Sequence, residues 1–211
     1  MKDIKSILVL APHPDDGEFG AGASIQKWAS EGIRVHYVAF SPCIKSLPKG
    51  SLADTLHTEM QAATKVLGIA PEDLSMGDFP VREFPAHRQA ILEKMVRLNK
   101  KISPDLVLMP NSMDIHQDHQ VIYKEGLRAF KHCSMLGYEL PWNSLEFKSN
   151  FHVKVSKQNI EKKYKALSCY ASQTKRNYHD LDFLIGLARV RGVQVGAEYA
   201  EAFELIRWIS H

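Results

Sequence analysis

Short apolar runs alternate along this chain with segments whose apolar residues recur every three to four positions. Residues 4–10 (IKSILVL) form such a run, stopped by Ala-Pro-His-Pro, and predict a buried strand. Residues 20–30 predict a helix, Gly32 a turn, and residues 34–40 (RVHYVAF) a second strand that Pro42 closes. Leu56, Met60, Ala63 and Leu67 share one helical face, so a helix is expected over 54–67 with Gly68 at its end. A short strand at 74–76, a helix over 85–101 and a strand over 105–109 (DLVLM) ended by Pro110 follow. Beyond them the pattern predicts a helix over 121–132, a strand over 147–155, a helix over 156–170 opened by a capping serine, and a helix over 182–191. Residues 202–209 (AFELIRWI) fit a strand or a helix.

Strands alternating with helices imply right-handed crossovers and an α/β fold: a doubly wound, mostly parallel, Rossmann-like sheet with helices on both faces. A single domain over 1–211 is expected, since this length supports one substantial core. Sheets of this kind place their sites at the carboxyl ends of the strands.

Composition narrows the partners. Lys and Arg number 27 against 24 Asp and Glu, a net charge of only +3 with no basic block, which argues against nucleic acid. No apolar stretch is long enough for a membrane span, and the start, Met-Lys-Asp-Ile-Lys, lacks a secretory h-region, so a cytoplasmic enzyme is expected. Cys43, Cys133 and Cys169 show no paired spacing, so any metal must be held by His, Asp or Glu.

Two polar clusters fall at predicted strand ends. The first is His13-Pro14-Asp15-Asp16, with Gly17, Glu18 and Gly20 after it; the second is Asp114-Ile115-His116-Gln117-Asp118-His119. They supply the imidazoles and carboxylates that zinc accepts, from two strand ends that a parallel sheet can bring side by side. A catalytic zinc needs three protein ligands and an open position, and hydrolysis needs further groups to take and return a proton. Turn and helix-cap residues would account for either cluster alone, but less readily for both.

The chain resembles the PIG-L/LmbE-like deacetylases, which act on N-acetylglucosaminyl-inositols and N-acetylglucosaminyl-malate. The resemblance rests on HPDD at 13–16, DIHQDH at 114–119, and the weaker segments EMQAATKVLGI at 59–69, KALSCYASQ at 165–173 and RGVQVGAEYAEAF at 191–203. The last of these looks most like the N-acetylglucosaminyl-malate branch. The resemblance implies an LmbE-type fold and a zinc-dependent N-deacetylase acting on a small amino-sugar substrate, with His13, Asp16 and His119 as metal ligands. It further implies Asp15 as general base and later acid, and His116 as oxyanion stabiliser or proton donor, oriented by Asp118. Two departures bear on the substrate: Gly17 replaces a larger or acidic residue, and Leu56-His57-Thr58 lacks the arginine expected just before Glu59.

Gly17, Gly20 and Gly22 have the spacing G-x-x-G-x-G, not that of a dinucleotide loop, and Asp15 and Asp16 would repel a pyrophosphate. This disfavours a nucleotide-dependent transferase; a metal-free or structural-metal binding protein on the same fold is the other alternative. His36 and His152 read as structural histidines, and His57, His87, His132, His179 and His211 as surface or loop residues. Lys45, Lys49 and Arg82 read as solvated surface. Trp28 and Trp208 read as core, which leaves Trp142, between Pro141 and Asn143, as an aromatic candidate for the substrate. Self-association would be unsurprising.

Overall fold

The computed structural model describes residues 4–173 and 178–210, so His211 lies outside it. β1 (Ser6–Ala11) is buried throughout from Ile7 onward, as a parallel strand covered on both faces must be. Ile7, Val9 and Ala11 feed one core, and Leu8 and Leu10 the other. β2 (Arg34–Ala39), β3 (Leu74–Met76), β4 (Leu106–Pro110), β5 (Ser134–Tyr138), β6 (Phe151–Val155) and β7 (Tyr199–Arg207) complete a seven-stranded sheet in the order β3-β2-β1-β4-β5-β7-β6. β1 to β5 pair in parallel, whereas β7 runs antiparallel to both β5 and β6.

The helices are α1 (Asp16–Ser30), α2 (Thr55–Val66), α3 (Arg88–Ile102), α4 (Gln117–Ala129), α5 (Lys157–Leu167) and α6 (Leu181–Val193). α1, α2, α5 and α6 contribute to the core over Ile7 and Val9; α3 and α4 pack over Leu8 and Leu10. The doubly wound, mostly parallel architecture is thus present. From β1 the chain builds outward through β2 and β3, then returns to place β4 and β5 on the other side. The strand order reverses between β1 and β4, and their carboxyl ends open the crevice where such sheets bind ligands.

Two helices begin earlier than their apolar periodicity suggests, α1 at Asp16 and α4 at Gln117. Both polar clusters run into the first helical turn, where exposed N–H groups and the positive end of the helix dipole favour carboxylates. β5 was not expected from the sequence, because Ser134 and Gly137 dilute its short apolar run. Gly137 within it is required by packing, because a Cβ there would lie 2.8 Å from the Cα of Asn111. Of the segment 202–209, residues 202–207 lie in β7, which is held between two neighbours. Trp208 departs from its core expectation: it lies past the end of β7, 38% exposed, stacked on Phe151 at 5.5 Å. Among the described residues no helix is long and apolar enough to cross a membrane.

Candidate functional site

β1 ends at Ala11, and Pro12 and Pro14 offer no N–H to continue its ladder. Asp15 then adopts a left-handed conformation (φ 85°), a rare choice for a residue with a side chain and one that costs about 1–3 kcal/mol. Its carbonyl accepts the N–H of Phe19 at 2.9 Å and so opens α1. Across the switch point, Asp114 Oδ1 accepts the N–H of His116 at 2.9 Å, and His116 Nδ1 accepts the N–H of Asp118 at 3.1 Å, capping α4.

These two turns bring three side-chain atoms together. His13 Nδ1 lies 3.1 Å from Asp16 Oδ2, His119 Nε2 lies 3.2 Å from the same oxygen, and the two nitrogens are 3.2 Å apart. Tetrahedral zinc with bonds of ~2.0–2.1 Å sets its ligand atoms about 3.3–3.4 Å apart, so this triangle matches one face of such a site closely.

His13, His116 and His119 also each offer a ring nitrogen, all within 4.8 Å of one another, so a three-histidine set competes with the two-histidine, one-aspartate set. The hydrogen-bond partners separate them. His119 Nδ1 donates to Asp114 Oδ2 at 2.7 Å and His13 Nε2 donates to Asp118 Oδ2 at 2.9 Å, which leaves His119 Nε2 and His13 Nδ1 as lone pairs facing the triangle. His116 Nδ1 already accepts from the backbone, so in the neutral ring its proton resides on Nε2. That nitrogen can donate to a substrate and has no lone pair for an ion. The carboxylate of Asp118 therefore acts on a different ring from the one expected. It holds His13, together with the N–H groups of Arg82 (2.6 Å) and Phe84 (3.2 Å), while the backbone of Asp118 orients His116.

Charge follows the geometry. Burial opposes protonation of His119, but Asp16 and Asp114 outweigh it and push the ring up to about 10. Burial likewise opposes the upward shift of His13, which Asp118 and Asp16 produce. Asp16 is held below the usual carboxylate range against its burial, chiefly by the charge of His119. His116 moves the other way: burial and the neighbouring His119 and His13 lower it, which favours the neutral ring. The neighbouring carboxylates thus favour positive charge on both imidazoles of the triangle, against their burial.

Beneath this layer lies Glu18, fully buried, whose carboxylate accepts from the hydroxyls of Tyr37 and Tyr170. Burial pushes its carboxyl up to about 7 against those two hydrogen bonds. Gly17 is dictated here, since a Cβ would lie 2.7 Å from the Tyr37 ring. The larger residue expected at this position has no room.

His13, Asp15, Asp16, His116 and His119 line one cleft of about 250 Å3. Leu56, Val81, Trp142 and Tyr178 line it too, with the Trp142 and Tyr178 rings stacked 3.7 Å apart and Phe19 edge-on to both. Leu56 faces the cleft from the helix that lacks the expected arginine, which makes that wall apolar. Cys43 also lines the cleft, but burial pushes its thiol well up, away from a thiolate role. His36 and His152 have structural partners, Asp73 at 3.0 Å and Gln194 at 3.2 Å. His179, expected at the surface or in a loop, lies in a loop and is half-buried, with Nε2 2.8 Å from the carbonyl of Leu167. Lys45 is exposed and pairs with Glu83. Tyr37 and Tyr170 escaped the sequence reading because apolar periodicity marks them as core; Glu18 and Asp114 were legible as polar residues of the first and second clusters but carried no role there.

Residues 8–130 match the PIG-L family, described as GlcNAc-PI de-N-acetylase. A diacetylchitobiose deacetylase of Thermococcus kodakarensis is 25% identical, over 97% of this chain and 84% of the relative. A 4-oxalmesaconate hydratase of Pseudomonas putida is also 25% identical, over 90% of this chain and 81% of its own. The fold is that of the N,N'-diacetylchitobiose deacetylase of Pyrococcus horikoshii, with a TM-score of 0.81 at 22% identity over 96% of this chain and 84% of that one. With more than half of its length matched, the chain belongs to the PIG-L family of GlcNAc-PI de-N-acetylases.

Proposed function

We propose that this chain, acting as one domain, is a zinc-dependent hydrolase that removes the N-acetyl group from an N-acetylglucosaminyl or similar amino-sugar substrate. The observation that carries this reading is the triangle of lone pairs from His13, Asp16 and His119, with Asp15 and His116 in the same cleft. His13, Asp16 and His119 would hold a divalent ion, which would supply Lewis-acid polarisation of the amide carbonyl and lower the pKa of water.

The chain's own residues do the rest. Asp15 takes a proton from the attacking water and returns it to the departing amine nitrogen. His116, kept neutral with its proton on Nε2, donates to the carbonyl oxygen as negative charge gathers there. Asp114 and Asp118 hold the outer nitrogens of His119 and His13, so that both rings present lone pairs to the ion. The stacked Trp142 and Tyr178 rings form a wall suited to the apolar face of a sugar. Acetate and a free amino sugar result.

One relative is a 4-oxalmesaconate hydratase, so hydration is the competing reaction for such a cleft. Release of primary amine distinguishes the two, because hydration liberates none. A fluorescamine assay across a panel of N-acetylglucosaminides, with and without added zinc, tests the reading. Amine release that depends on the metal supports it; no release from any member of the panel by metal-loaded protein counts against it.

A further inference from the structure

The strained backbone at Asp15 needs an anchor, and a buried cluster supplies one. The N–H of Asp15 donates to the Tyr170 hydroxyl at 3.1 Å, and the N–H of Gly17 donates to the Tyr37 hydroxyl at 3.2 Å. Each hydroxyl oxygen is thereby used as an acceptor, so its single proton must go onward. Both go to Glu18: Tyr170 donates to Oε1 at 2.7 Å and Tyr37 donates to Oε2. The chain of donors runs inward from both ends and closes on one carboxylate.

This arrangement has only one consistent polarity. A backbone N–H can only donate and each tyrosine has one O–H, so the group between the two hydroxyls must accept twice. A carboxyl group accepts at both oxygens; an amide would turn a donor toward one of the hydroxyl protons. Three distant segments meet here, Tyr37 from β2, Glu18 from the first turn of α1, and Tyr170 from the segment after α5. Tyr37, Tyr170 and Glu18 are all fully buried, so water cannot replace a lost member of the chain without entering the core.

We infer that Glu18, Tyr37 and Tyr170 form a positioning unit that grips the backbone at residues 15 and 17, holds Asp15 in its left-handed conformation and thereby aims its carboxylate at the reacting atoms. This rests on the assignment of Asp15 as the base. The three residues touch neither substrate nor ion; they act through the placement of Asp15. A shift of about 1 Å in a reacting group can cost on the order of a hundredfold in rate, so loosening this grip should be felt in turnover more than in substrate binding.

The test uses metal-loaded Tyr170→Phe, which removes one oxygen and keeps the ring, beside Glu18→Gln. Each variant should stay folded with the metal content of the parent, keep KM within about twofold and lose about tenfold or more in kcat. Amide hydrogen exchange should show faster exchange at Asp15 in Tyr170→Phe and at Gly17 in Tyr37→Phe, a site-specific loss that general destabilisation would not produce. Glu18→Gln combined with Tyr170→Phe should be no worse than the more damaging single change, as for members of one network. Folded, metal-replete Tyr170→Phe with parental kcat overturns the inference, as does a loss of kcat that only tracks metal content or folded fraction. Asp15→Asn measured alongside separates the two levels: parental turnover there refutes the base assignment itself.

Discussion

His116 and His119 lie one helical turn apart, and the structure predicts that they fail differently. Replacing His116 by Ala removes a ring whose Nδ1 caps α4 and whose Nε2 proton faces the cleft. Loss of the cap should cost about 0.5–2 kcal/mol of stability. In a chain of this length, each 1 kcal/mol lowers Tm by roughly 2–4 °C, so the protein should remain folded. Loss of the donor should cost about 2.7–4 kcal/mol in the transition state, a fall in kcat on the order of a hundred- to a thousandfold with KM little changed. Metal content should persist, because none of the three converging atoms belongs to His116. Replacing His119 by Ala removes one of those atoms and strands the buried carboxylate of Asp114, so metal should be lost along with activity. Elemental analysis, thermal melting and steady-state kinetics on both variants give the answer. Equal metal loss in the two, or a His116 effect confined to KM, would refute the tautomer argument that separates them.

Asp15→Asn, close to isosteric, should lower kcat by at least about a hundredfold while keeping the metal, read by the same kinetics and elemental analysis. Asp114→Asn leaves the His119 ring without its carboxylate partner and should weaken metal affinity by about ten- to a hundredfold, measured by competition with a chromophoric chelator. Metal uptake should release protons: the metal-free His119 is held at about 10, so at pH 7 it is protonated and must lose that proton to offer Nε2. Apparent zinc affinity should therefore rise with pH over the range below about 10, and calorimetry in buffers of different ionisation enthalpy should report about one proton or more released per ion. Uptake without proton release would contradict the reading of His119.

Much of the fold was legible because long-range order here follows local pattern. Pro12 and Pro110 end or closely follow β1 and β4, and the residues just beyond them are the ones the switch point brings together. The apolar runs fixed those strands, and the order of strand and helix fixed the doubly wound class. β5 was not legible, since Ser134 and Gly137 dilute its apolar signal and the glycine answers to Asn111, a residue far away in sequence. Periodicity also missed the starts of α1 and α4, because the first turns hold polar residues kept there by hydrogen bonds to the site. The same limit applies within the site. HPDD and DIHQDH announced which residues would meet, but the sequence could not show that the Asp118 carboxylate serves His13, nor that Tyr37 and Tyr170 reach under Asp15 from opposite parts of the chain.

The central claim is that His13, Asp16 and His119 hold an ion that the reaction requires. Purified protein should carry about one zinc-class ion per chain, since one triangle of ligand atoms supplies three ligands and leaves a position open. The most direct measurement follows amine release from an N-acetylglucosaminide while metal is removed and restored in the same sample. The account predicts that chelation abolishes release and that one equivalent of zinc per chain restores it. Release that continues unchanged in protein shown by elemental analysis to contain no transition metal would contradict it.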